Sequence, residues 1–329
     1  HSLDNYLPKL IKAGHKIAIC EQIEDPRQVK GIVKRKVIEV ITPGTITSEK
    51  VLDAKKNNYI ASLIQGKDSF GYSVIDTSTG EFYVGECQSD DLYETLLKYN
   101  PSEILLPKSI SYNIQDWFIK LQPYVTSIED LHFNYDSAHR NLVGHFKVNS
   151  LKGFGCEHLS NGIIAAGGLY LYLKNNLLKN VNHLKKISPV SDIGFMGLDG
   201  YTIRNLEIFD SISSHNINGT LINCIDTTMT PGGGRLLYNW LRNPLADRKR
   251  IESRLEIVEK FITDKNLLKQ LRLRLKKTLD IERLISKISR GSGTPRELIG
   301  LCDTLHIYDK CIKDIKEIKE FEKFVLPYK

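Results

Sequence analysis

What most limits the folds open to this chain is a change of hydrophobic period partway along it. Between Asn58 and Glu86 the residues are β-branched and aromatic in three short runs, Tyr59 to Ile64, Phe70 to Asp76 and Glu81 to Val84, parted by turn formers at Gly66-Lys67-Asp68 and Ser78-Thr79-Gly80. Such runs fit a pleated surface and predict a three-stranded antiparallel meander. Beyond about Asp192 the apolar residues recur every three or four positions instead: Ile251, Leu255, Val258 and Ile262, then Leu267, Leu268, Leu271 and Leu275, then Ile281, Leu284, Ile285 and Ile288. Each series predicts a helix with a core-facing stripe, with Asp247 capping the first and Pro295 opening another helix after the Gly291-Ser292-Gly293 break. The chain therefore reads as an α/β part followed by an all-α part.

Smaller signals fill in this frame. Leu3, Tyr6, Leu7, Leu10 and Ile11 have helical spacing that stops at Ala13-Gly14, and two apolar segments, Lys16 to Cys20 and Lys34 to Ile41, read as strands before a Thr42-Pro43-Gly44-Thr45 turn. After the meander come a helix over Leu92 to Lys98, a short strand over Glu103 to Leu106 and a helix marked by Trp117, Phe118 and Leu121. Ser160 to Leu178 predicts a helix that is either broken or closely packed at Gly167-Gly168. With 329 residues there is material for two or three cores. Both ends read as cut from a longer chain, one starting at a helix and the other, Phe321 to Lys329, still in lysine-rich helical spacing.

Composition excludes several classes. No apolar run approaches the roughly 20 residues that span a bilayer, and His1-Ser2-Leu3-Asp4 has no secretory leader pattern. The six cysteines, Cys20, Cys87, Cys156, Cys224, Cys302 and Cys311, form no Cys-x-x-Cys pair, which argues against a zinc ribbon or disulfide framework and for a cytoplasmic protein. Cys156-Glu157-His158 is one mixed ligand cluster without a distant partner pair, and reads as a loop. The nine histidines, among them His139, His145 and His158, lie in no His-Glu-x-x-His or serine-protease pattern. The excess of Lys and Arg over Asp and Glu, 46 to 39, is compatible with a polyanionic partner without requiring one.

Three ordered sets of residues resemble the MutS family. The first is Tyr6-Leu7-Pro8-Lys9-Leu10, Ile17-Ala18-Ile19-Cys20-Glu21-Gln22 and Thr42-Pro43-Gly44-Thr45. The second is Gly153-Phe154-Gly155 with Ala165-Ala166-Gly167-Gly168-Leu169. The third is Arg204-Asn205-Leu206-Glu207-Ile208, Thr220-Leu221, Thr230-Pro231-Gly232-Gly233-Gly234-Arg235-Leu236-Leu237, Trp240-Leu241 and Pro244-Leu245.

The resemblance implies an α/β remnant of a mismatch-binding domain over residues 1–45, an RNase-H-like α/β connector over 46–190 and the first helices of a core and lever domain over 191–329. It also implies a whole protein that is a dimeric clamp on duplex DNA, reads mispairs with a Phe-x-Glu element expected upstream of His1, binds ATP and Mg in another domain and recruits MutL through the connector. The DNA-gripping clamp segment is expected beyond Lys329. No Gly-x-x-x-x-Gly-Lys-Ser/Thr loop occurs among these residues, so the segment itself is expected to be a non-enzymatic scaffold without a cofactor.

Four sets of residues are weighed as sites. Lys34-Arg35-Lys36, in the remnant of the DNA-reading domain, could touch phosphates or form a solvated charge run on an edge strand. Asp76, closing a strand, sits where RNase-H-type nucleases place a metal-binding aspartate, which keeps a metal-dependent nuclease as the rival reading; a recombination paralogue of the same family is a further alternative. Two-metal chemistry needs several converging carboxylates, and Glu81, Glu86, Asp90 and Asp91 read as hairpin and cap residues, so a turn-forming Asp76 is the reading adopted. Gly232-Gly233-Gly234 with Arg235 could cradle a phosphate or simply start a helix tightly, and the latter is adopted. Arg248-Lys249-Arg250 and Lys276-Lys277 read as solvated helix faces.

Overall fold

The computed structural model describes residues 3–25, 31–48, 50–110, 123–176, 181–191, 193–212, 217–316 and 318. The helix expected around Trp117, Phe118 and Leu121 and the segment Phe321 to Lys329 lie outside them. The chain divides into an α/β unit, His1–Asp53 with Asn57–Val190 and Ser289–Ser292, and a helical unit, Ala54–Lys56 with Ser191–Ile288 and Gly293–Lys329.

The α/β unit starts with helix α1 (Leu3–Lys12), which ends where Gly14 takes φ +76°. A two-stranded antiparallel ladder follows, β1 (Ile17–Gln22) against β2 (Arg35–Ile41), with a bulge between Ile19 and Cys20. Leu7, Ile11, Ile41 and Ile46 form a small core beneath it.

The predicted meander is present as β3 (Tyr59–Gln65), β4 (Ser69–Asp76) and β5 (Glu81–Gln88), antiparallel throughout. Helix α2 (Leu92–Tyr99) leads to β6 (Glu103–Pro107), which pairs in parallel with β3, and β7 (Tyr124–Ile128) extends the sheet in parallel beyond β6. With β8 (Ser188–Pro189) beside β5 the order is β7-β6-β3-β4-β5-β8. A meander extended by parallel strands from its first member is the RNase-H-like arrangement that the resemblance implied.

Both faces of this sheet are covered, which is why β3, β4 and β6 read as nearly continuous apolar runs. One face packs on helices α3 (Tyr135–Phe146) and α4 (Ser160–Asn176) through Ile60, Ile75, Leu105, Leu142, Ile163 and Leu169. The other packs on α2 through Leu63, Val74, Leu92, Leu96 and Ile104. Helix α4 runs unbroken through Gly167-Gly168, so close packing is the outcome: a Cβ on Gly167 would lie 2.2 Å from that of Ala138, and one on Gly168 2.7 Å from the Phe133 ring.

In the helical unit α5 (Gly200–Asn205) and α6 (Leu221–Ile225) precede α7 (Pro231–Arg242), α8 (Arg248–Thr263), α9 (Lys265–Leu275), α10 (Ile281–Ser289) and α11 (Pro295–Lys316). The caps follow the sequence: Asp247 Oδ1 accepts from the Arg250 amide at 2.8 Å, and Pro295 opens α11 after Gly291 at φ +77°. The stripe on α8 departs from expectation, because Leu255, Val258 and Ile262 are 58, 50 and 63 % exposed rather than core. Helical periodicity fixes which side of a helix is apolar but not what covers it.

Candidate functional site

Lys34, Arg35 and Lys36 lie at the end of the β1–β2 ladder where the chain passes from one strand to the other, all three exposed. Lys34 is tied down twice by Glu24, its Nζ 3.3 Å from Oε1 and its amide donating to Oε2 at 3.1 Å, while Arg35 and Lys36 stand opposite Gln22 and Glu21. Ion pairs this exposed are weak, so the three cations stay available to solvent-borne anions.

Asp76 has the opposite surroundings. It is fully buried, its Oδ1 accepting from the Ser78 hydroxyl at 2.7 Å and from the amides of Ser78 and Thr79 at 2.8 and 3.4 Å. Its Oδ2 accepts from the Asn57 side-chain amide at 2.8 Å and the Asn58 backbone amide at 3.2 Å. Five donors leave no lone pair directed at a metal. Glu81 accepts from Tyr59 and Asn57, Glu86 from the Asn161 and Gly162 amides at the start of α4, and Asp91 occupies the N-cap position of α2. Among the described residues no group of three or more His, Cys, Asp or Glu could hold a metal ion. The turn reading of Asp76 holds, and the arrangement gives the nuclease alternative no metal site there.

The Gly232-Gly233-Gly234-Arg235 segment is likewise consumed internally. Thr230 caps α7, its Oγ1 accepting from the Gly233 amide at 3.0 Å, with Pro231 at the first turn. A Cβ on Gly234 would meet the Lys55 side chain at 2.6 Å, so glycine here admits a neighbour rather than a phosphate. Arg235 is 4 % exposed and directs all five N–H groups to protein: two to Asp280 at 2.7 and 2.8 Å, two to Glu282 Oε2 at 2.5 and 3.0 Å, and one to the Ala54 carbonyl at 2.8 Å. Burial opposes its charge, but the Asp280 and Glu282 bonds outweigh burial and hold the guanidinium above its ordinary pKa. These residues do not fit a nucleotide phosphate. Around them Arg283 donates to the Lys56 carbonyl at 2.6 Å and Lys55 Nζ to both Asp226 oxygens at 2.9 Å.

Glu103 is a centre that sequence reasoning missed, having read it only as the first residue of a strand. It is fully buried in mid-sheet; Oε2 accepts from the Thr42 hydroxyl and, at 3.1 Å, from the Gly44 amide, while Oε1 accepts from Thr126 at 2.8 Å and Tyr172 at 2.7 Å. Burial and the adjoining Glu103 push the Tyr172 phenol well above its ordinary range. The available signal was a charged residue opening an otherwise apolar strand.

The remaining candidates are structural. Cys156 is buried, and Glu157 joins His139 at 2.9 Å to the Leu151 amide at 2.6 Å. His145 contacts the Leu184 carbonyl at 2.7 Å, and burial lowers its pKa. Arg248 pairs with Glu252 on the same helix, Arg250 and Arg254 lie over the rings of Phe195 and Trp240 at 5.5 and 3.7 Å, and Lys276 and Lys277 are exposed.

Against known families, residues 1–50 match MutS domain I, 58–185 match MutS domain II and 201–325 match MutS domain III. The chain is 40 % identical over 305 residues to the DNA mismatch repair protein MutS of Flavobacterium psychrophilum, covering 93 % of this chain and 35 % of that protein. Proteins of the same name from Halothermothrix orenii and Cytophaga hutchinsonii are 37 % and 41 % identical, over 97 % and 92 % of the chain and 36 % and 35 % of their own length. The chain thus spans about a third of the length of these relatives.

Proposed function

Because this chain belongs to the MutS family, we propose that it is the scaffold segment of a protein that recognises mispaired DNA, joining part of the mismatch-binding domain to a connector and the first helices of the core. The observation that supports a scaffold over an enzyme is the fate of its buried charges: Asp76, Glu103 and Arg235 all spend their polar atoms on the protein itself. Groups saturated in this way rigidify a fold and offer nothing to a substrate. The whole protein, on this reading, is a cytoplasmic homodimer that binds ATP with Mg outside this segment and meets MutL through the connector. No helix among the described residues is long and apolar enough to cross a membrane.

Lys34, Arg35 and Lys36 are the proposed contribution of this segment to DNA affinity, through phosphates and therefore independent of sequence. The test is a titration of the chain with matched and mismatched duplexes, at low and physiological salt, and with the N-terminal domain of its MutL partner. The expected outcome is partner binding together with weak, salt-sensitive, mismatch-blind DNA binding. Replacing the three residues with alanine should lower its salt slope by up to about 0.9 for every phosphate they had neutralised. Tight mismatch-selective binding, or a salt slope indifferent to the three alanines, would overturn the reading.

A further inference from the structure

A fully buried charged side chain of the sheet holds the N-terminal segment to it. Glu103 lies on β6, between β3 and β7, and two of its four hydrogen bonds come from Thr42 and Gly44. Thr42 and Gly44 fall in the part of the chain that matches MutS domain I, and Glu103 in the part that matches MutS domain II, so these bonds join two family domains inside one compact unit. We propose that Glu103 is a latch that docks the Thr42–Thr45 turn on the connector sheet and so fixes the direction in which the preceding ladder leaves it.

Geometry makes the docking all or none. Thr42 and Thr45 are 0 and 1 % exposed, and the turn is closed on itself by the Thr42 amide donating to Thr45 Oγ1 at 2.8 Å and the Thr45 amide donating to the Thr42 carbonyl at 3.0 Å. With the single Thr42 hydroxyl proton directed to Glu103, the Thr45 hydroxyl is the donor on its side, its proton shared between Thr42 Oγ1 at 3.0 Å and the Thr42 carbonyl at 3.3 Å. Gly44 is the key in the seat: a Cβ there would stand 2.7 Å from that of Glu103 and 2.8 Å from that of Ile60. On the far side Asn58 donates to the Pro43 carbonyl at 2.9 Å and accepts from Ser102 at 2.7 Å.

If the turn lifts, Glu103 Oε2 loses both partners at a position that is fully buried, and an unsatisfied buried oxygen is costly. Thr126 and Tyr172 bind only Oε1 and cannot replace them without giving up their own bonds. Undocked and docked turns are therefore separate states, with Glu103 as the positioning residue between them. The latch needs neither DNA nor a partner, so it stands or falls separately from the proposed function.

The test is amide hydrogen exchange in the whole 329-residue chain. Glu103→Leu removes both accepting oxygens; the Gly44 and Thr45 amides should exchange at least about tenfold faster, with amides of β3 and β4 unchanged. Thr42→Val, which alters the turn alone, should give the same local gain and decides the matter if Glu103→Leu does not fold. Thr126→Val removes a donor from Oε1 and should leave Gly44 protected. Unchanged Gly44 exchange in Thr42→Val, loss of protection in the sheet in step with the turn, or an equal loss in Thr126→Val would each overturn the latch.

Discussion

The α/β unit and the helical unit reach order by different means. In the first, Ile60, Leu63, Ile75, Ile104, Leu105, Leu142, Ile163, Leu169 and Leu173 are fully buried, and the sheet is covered on both faces. Among the described residues of the second, fully buried apolar side chains are scarce, Ile222 being an example, whereas Leu206, Leu255, Val258, Ile262, Leu273 and Ile299 are each at least half exposed. Buried on α7 and α10 are also two charges: Arg235 and Arg283 are each 4 % exposed and hold Asp280, Glu282 and the carbonyls of Ala54 and Lys56. Apolar burial is non-directional and tolerates sliding. A bidentate guanidinium bond is directional, so the helical unit gains fixed geometry where it lacks a large core.

That contrast is broken most forcefully at Arg235. Arg235→Leu leaves Asp280 and Glu282 facing a partner that cannot bond them, and removing one member of a buried pair costs roughly 3–5 kcal/mol. The lower end of that range applies, because Glu282 is 55 % exposed and rehydrates readily. In a Trp117→Phe background the remaining Trp240 reports on α7, so urea unfolding followed by its fluorescence should shift to markedly lower denaturant while exchange protection in β3 and β4 persists. A shift below about 1 kcal/mol would mean the helices are held by apolar contact after all.

How much of this was legible in sequence follows from the same physics. The meander, α2, β6 and the Asp247 and Pro295 helix starts were readable because period and caps are local signals. Helix α3 was not found: only Ala138 and Leu142 are buried on it, and its start is marked by Asn134, whose Oδ1 accepts from the Ser137 amide at 3.1 Å. Strand β7 was missed because alternation over five residues, with Val125 39 % exposed, is a faint signal. Asp76 and Gly234 were read for the right structural reason, but the partners that consume Arg235 lie 45 and 47 residues away, and those of Glu103 up to 69, beyond any local pattern.

A second, smaller effect separates the units by pH. His183 in the α/β unit is 7 % exposed, and burial, then the charge of Arg290, with His145 and Lys185 adding to it, pushes its pKa down to about 3. The folded value lies below the unfolded one of about 6.5, so between those two values the unfolded chain binds the extra proton. The contribution is intact above pH 6.5 and is lost as pH falls, by at most roughly 1.4 kcal/mol per pH unit. The α/β unit should weaken on acidification from pH 6.5 to 4.5 in a way that His183→Leu flattens. An equal slope in that variant would place the acid sensitivity elsewhere.

The smallest expected effect is the sharpest test of the contrast, because it sets the helical period directly against the structure. Leu255 belongs to the α8 stripe that periodicity assigns to a core, yet it is 58 % exposed. Lysine is as good a helix former as leucine, and its stem can lie along the neighbouring apolar surface while the ammonium stays in water. Leu255→Lys should therefore change the stability of this chain by less than about 0.5 kcal/mol. A buried leucine at the same place would respond quite differently, since an ammonium forced into an apolar site without a partner destabilises by several kcal/mol. Urea unfolding of the variant decides between the two: a near-zero shift leaves α8 with an open apolar face and the Arg235 network as the chief constraint on the helical unit, whereas a large one would make the stripe a core and erase the difference between the two halves.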